Sequence, residues 1–255
     1  MTFYAEKFVV FLLVFIRTLS MFATAPLYGN QAIPAQVKVW TGAAVAFALF
    51  PLVAAHTGSL SLDLGSLIVL AIEEVIVGSA IGLTMSMIFM GIDYAGELLG
   101  VEMGLSISSM IDQQSGVNVP VIGQFEAIMA TFLFLIMNGH LFLLQALQMS
   151  YTAVPVSGLR ITGSAVNLFV GLSGMVFVTA IKIGAPVIVS LFLADVVLGI
   201  MARMVPQVNV FFVGMPITIG IGVVLLIASL PFFVLVFGRL LGTFEDQTVQ
   251  LLRLM

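Results

Sequence analysis

Six long apolar runs, at about residues 8–25, 39–55, 64–92, 121–150, 165–195 and 208–238, alternate with short polar or turn-forming connectors. A helix needs roughly 20 apolar residues to cross the hydrocarbon of a bilayer, and each run meets or approaches that length. The pattern predicts an all-α fold of about six long hydrophobic segments, several of them kinked or hairpin-like. Pro26-Leu27-Tyr28-Gly29-Asn30 and Pro34 make a turn-rich first connector, His56 to Asp63 a short polar loop, and Val154-Pro155-Val156-Ser157-Gly158 a third break. The last run contains Pro216 and Pro231 and is expected to be kinked, re-entrant or divided. An amphipathic tail, residues 239–255, follows it. With no repeat of solenoid length and no visible boundary, residues 1–255 read as one domain. Lys7, the apolar run after it and Ala23-Thr24-Ala25 imitate a secretory signal. Arg17 interrupts that run, so it reads as a retained first helix.

Only one long stretch turns small and polar. From Gly96 to Phe125 the chain passes Ser106, Ser108, Ser109, Asp112, Gln113, Gln114, Ser115, Gly116 and Asn118 before Pro120. The spacing Gly96, Gly100, Gly104 leads into it and lets neighbouring backbones approach closely. Ile107, Met110 and Ile111 sit among the polar residues, where an aqueous loop has little use for them. Gly116 and Pro120 argue against a continuous helix. Two readings fit: a surface loop between two helices, or a loop folded back among helices to line or block a passage. Irregular backbone at membrane depth is tolerated only in the second setting.

Charges inside the apolar runs are the other signal: Arg17, Glu73, Glu74, Asp93, Glu97, Lys182, Asp195 and Arg203. An ionised group facing hydrocarbon costs at least about 2.5 kcal/mol, so these groups must meet protein, water or one another. Glu73 and Glu74 point about 100° apart on a helix, and Glu102 points about 180° from Asp93. Asp93 and Glu97 share a face and repel. Either the helix breaks near Gly96 or Gly100, or both its faces touch polar surroundings. Pro186 leaves the Lys182 carbonyl without its helical donor. Lys182 and Asp195 could belong to an ion or proton path; the preferred reading makes Arg17, Glu73, Lys182, Asp195 and Arg203 structural charges at helix or subunit contacts. Gly78 and Gly82 favour close packing of their helix.

Composition narrows the class. The chain has 255 residues, of which 61% are hydrophobic and 8% charged, with a mean hydropathy of +1.25. A soluble domain is about 25% charged, so this chain belongs in a membrane or among other apolar surfaces. The net charge of -4 excludes a basic nucleic-acid surface. Without cysteine there is no disulfide, iron–sulfur cluster or thiol nucleophile, and His56 and His140 are too isolated for a zinc site. No nucleophile elbow, metalloprotease motif or phosphate-cradling loop occurs. The chain reads as a non-enzyme with no cofactor and no metal.

Three stretches in order resemble the FliR family, the export-gate subunit of flagellar type III secretion and the T subunit of virulence injectisomes. They are Arg17-Thr18-Leu19-Ser20-Met21-Phe22 through Pro26 with Ile33-Pro34 and Val37-Lys38; residues 103–125 with Asn138-Gly139-His140; and residues 182–217, KIGAPVIVSLFLADVVLGIMARMVPQVNVFFVGMPI. The resemblance implies one R-type copy in a helical complex with FliP-like and FliQ-like subunits and a FlhB-like export switch. That complex conducts unfolded substrates through the basal body at the bacterial inner membrane. It implies apolar helices packed into a cone standing largely above the bilayer, covered by subunits rather than lipid. The family's plug loop matches Gly104 to Pro120. Where the family often has phenylalanines, Ile107, Met110 and Ile111 stand here. The competing reading is an independent ion-coupled transporter using Glu73, Glu74, Lys182 and Asp195; the injectisome subunit is the nearer alternative.

Overall fold

The computed structural model describes residues 2–30, 32–58, 63–105, 121–205 and 210–255. Among these the chain forms seven α-helices: α1 (Thr2–Thr24), α2 (Ala35–His56), α3 (Leu64–Glu102), α4 (Val121–Ile136), α5 (Gly139–Ala153), α6 (Gly163–Met204) and α7 (Val210–Leu254). Five are long and apolar enough to cross a membrane, and α4 with α5 makes a sixth if the bent pair counts as one span. Helices α3, α6 and α7 have 39, 42 and 45 residues. At about 1.5 Å per residue each is roughly twice as long as a 30 Å hydrocarbon layer.

Three details decide what the sequence pattern left open. The 121–150 run bends by 63° between α4 and α5. Asn138 makes the bend in the left-handed region, at φ 62°, which asparagine tolerates better than most residues. Gly139 permits it, because a Cβ there would lie inside contact distance of the Phe134 ring. The last run is not divided: Pro216 and Pro231 lie inside α7, which also absorbs the 239–255 tail. In apolar surroundings, opening a helix exposes several backbone groups, whereas a proline removes one donor. Nor does α3 break at Gly96 or Gly100; Asp93 and Glu97 are exposed and Glu102 half-buried.

The chain divides into two compact units. The first comprises residues 1–87, 134–173 and 241–255. Here α1 and α2 run antiparallel, with Phe11 edge-on to Phe50 and Gly42 against Leu19. Gly78 and Gly82 of α3 lie against the α1 backbone, at Arg17 and at Met21; any Cβ would collide with Ser20 and Thr24. Tyr28 stacks on Phe22 at 4.4 Å, and burial pushes its phenol up from the ordinary tyrosine range. The start of α6 is tied to the end of α7, since Thr162 Oγ1 donates to the Leu254 carbonyl at 2.8 Å.

The second unit comprises residues 88–133 and 174–240. Its core gathers Leu99, Met103, Ile122, Val187, Leu191 and Leu226. Gly91 of α3 meets Thr179 of α6, and Leu99 lies near Gly184, so those helices are parallel. Phe89 packs on Phe237, and Gly222 sits against Met103, so α7 is antiparallel to α3. Much apolar surface is left open on α6 and α7, including Phe192, Ile200, Phe212, Val224 and Leu235.

Candidate functional site: buried charges and the anchors of the polar segment

Arg17 is 1% exposed in the first unit, at the level where Gly78 brings α3 against α1. Its Nε donates to Glu74 Oε2 at 2.5 Å and its Nη2 to Glu74 Oε1 at 2.9 Å. The other terminal nitrogen, Nη1, donates to Ser150 Oγ and to the Val154 carbonyl, both at 3.0 Å. The guanidinium lies 4.2 Å from the centre of the Tyr151 ring, and the Tyr151 hydroxyl donates to the Val14 carbonyl. A planar fork of five N–H donors suits a bidentate carboxylate partner. One side chain thus joins α1, α3 and α5 and makes the chain buried there electrically neutral. Glu74 takes the pair; Glu73 beside it is half-buried, with Oε2 lacking a hydrogen-bond partner.

The polar segment leaves the second unit from a defined helix end. Gly104, at φ 77°, stops α3 in a Schellman motif: the Leu105 amide donates to the Gly100 carbonyl and the Gly104 amide to Val101. Leu105 then packs on the core that contains Leu99 and Met103. The chain returns at α4, where Ile122 enters the same core and Gly123 lies directly against Gly96. Both anchors are therefore held by one packed cluster. Ile107, Met110, Ile111 and Pro120 lie outside the described residues.

Lys182, Asp195 and Arg203 are exposed on α6. They are not gathered into a buried site within this chain. Glu126, a carboxyl within the apolar α4 that is 6% exposed, is not among the charges singled out above. Its signal was available, because a carboxylate in the middle of such a run always asks for a neighbour. Among the described residues no group of three or more His, Asp or Glu could hold a metal ion.

Residues 8–244 match the model of a protein family described as bacterial export proteins, family 1. The chain belongs to that family. It is similar to the flagellar biosynthetic protein FliR of Bacillus subtilis, 36% identical over 228 residues that make up 88% of this chain and 87% of the relative. The FliR proteins of Pectobacterium carotovorum and Escherichia coli are 32% and 30% identical, each match covering 85% of this chain and 82% of the relative. The export-family match takes in α2 to α6 whole, with most of α1 and α7, and so includes the Arg17 clamp and both anchors of the polar segment.

Proposed function

We propose that this export protein is the R-type core subunit of the flagellar type III export gate at the bacterial inner membrane. It would assemble with P-type and Q-type subunits and a FlhB-like switch protein, and the complex would conduct unfolded substrates. The reading rests on one observation, the near full-length likeness to proteins named as flagellar FliR. Open apolar surface on α6 and α7 supports it, since such surface needs neighbours. Lys182, Asp195 and Arg203 are assigned to subunit contacts in that assembly, and Gly104 to Pro120 to the plug of the closed channel. Ile107, Met110 and Ile111 would exclude water from the constriction, a recognised way to close a pore. No catalytic role is assigned.

Two measurements test the proposal. A strain lacking this chain should stop secreting flagellar subunits and recover when the chain is restored. In the assembled complex, deleting residues 106–117 should leave the subunits together but open a leak to small solutes. Normal secretion without the chain would overturn the gate reading. An intact barrier in the loop-shortened complex would overturn the plug alone.

A further inference from the structure

Glu126 is the carboxyl in the second unit that the fold leaves least provided for. Its Oε2 is buried and has no hydrogen-bond partner, an arrangement that a lone chain tolerates badly. The helix crossing puts it there. Gly96 and Gly123 touch backbone to backbone. Asp93, one turn before Gly96, lies within electrostatic reach of Glu126, one turn after Gly123, so α3 and α4 run antiparallel. The Asp93 carboxylate is the charge that bears on Glu126, and Glu97 bears on Asp93 in turn. Asp93 and Glu97 are exposed, so negative charge runs from the surface down to a sealed oxygen. Lys182 stands at about the same level on α6, yet no basic residue is among the charges that bear on Asp93 or Glu126.

We infer that Asp93 and Glu126 form the receiving site for a lysine or arginine side chain of a neighbouring subunit. The inference rests on the assembly proposed above and names a contact within it. A side-chain cation fits better than a free ion. The described residues offer no three-ligand metal group, while the surface around the carboxyls is apolar, with Met90, Tyr94, Phe125 and Ile128 exposed. Basic side chains lay their methylene stems along such surface and deliver the charge beyond it. Asp93 at the surface would draw the cation in, and Glu126 would hold it against dissociation.

The test uses the full chain, tagged and co-expressed with its P-type and Q-type partners, and weighs what co-purifies in mild detergent. Asp93→Asn with Glu126→Gln should lower recovery of at least one partner tenfold or more, with the amount of tagged chain in the membrane unchanged. Equal recovery by the doubly neutral variant would overturn the inference, leaving the carboxyls to bind a proton or nothing. If the double variant lowers the amount of the chain itself, Glu126→Lys decides: suppressors that restore secretion should replace a basic residue of a partner by a neutral or acidic one. Suppressors confined to this chain, or none, would overturn it. Failure of the unaltered chain to recover any partner would instead count against the assembly itself.

Discussion

Replacing Arg17 by methionine removes the cation from a carboxylate that is 1% exposed and strips the Val154 carbonyl of its guanidinium donor. Breaking a buried pair from one side costs about 3–5 kcal/mol, because the remaining charge stays buried. A domain of this size loses about 2–4 °C of melting temperature per kcal/mol, so Arg17→Met should melt roughly 6–20 °C lower. Replacing both partners removes the orphaned charge, and such exchanges are often neutral or stabilising. Arg17→Met with Glu74→Met should therefore recover at least half of the loss. Arg17→Lys keeps the charge but loses the fork and should fall between wild type and Arg17→Met.

The chain contains no cysteine, which makes the assay direct. Ala146 is fully buried on α5, so Ala146→Cys reports unfolding of the first unit by its reaction with a thiol-reactive dye in detergent. Each substitution is compared within that background. A shift under about 3 °C for Arg17→Met, or additive losses in the double variant, would refute the clamp as a coupled unit.

Three further outcomes follow from local geometry. Gly104→Ala forces a side chain into the left-handed region at a cost of about 1–2 kcal/mol, so the Gly104 and Leu105 amides should exchange hydrogen faster, with Gly104→Asn milder. Gly96→Val drives a branched side chain into Gly123 and should cost at least the roughly 1–3 kcal/mol of overpacking; an unchanged melting temperature would mean that α3 and α4 do not cross there. Lys182→Met should change the melting of the isolated chain by no more than about 0.5 kcal/mol, as for other exposed sites, while lowering the yield of assembled complex; a large shift in the isolated chain would place its partner inside the fold.

Helix positions were legible because hydrophobic length sets them, and close packing at Gly78 and Gly82 could be read from small-residue spacing. The choice of Glu74 over Glu73 was also within reach. Glu74, Gly78 and Gly82 recur every four residues and so share one face of α3, the face that meets α1, whereas Glu73 lies about 100° away. The partner of Glu126 was not legible, since it depends on where α3 crosses α4, and no local pattern encodes that crossing. The bend at Asn138 was hidden for a different reason: both flanking segments are apolar, and one residue in the left-handed region reverses nothing in the hydropathy. The two units escaped notice because each is assembled from separated stretches of chain.

Within the second unit, the level of each helix bears on what can surround it. Phe89 meets Phe237 and Met103 meets Gly222, so Asp93 and Glu97 stand at about the height of residues 228–233 on α7. At or beside that height α3 exposes two carboxylates and α6 exposes Lys182, while α7 exposes Ile227, Phe232 and Leu235. A planar hydrocarbon layer that covered the α7 side chains would also reach the α3 carboxylates, at a cost of at least about 2.5 kcal/mol each. A layer moved away to spare the carboxylates would leave the α7 side chains in water. A protein neighbour escapes the conflict, because its surface can be apolar against α7 and basic against α3 at the same height. A planar lipid boundary thus fits this level of the second unit poorly, and the basic part of the subunit surface proposed above would have to reach Glu126.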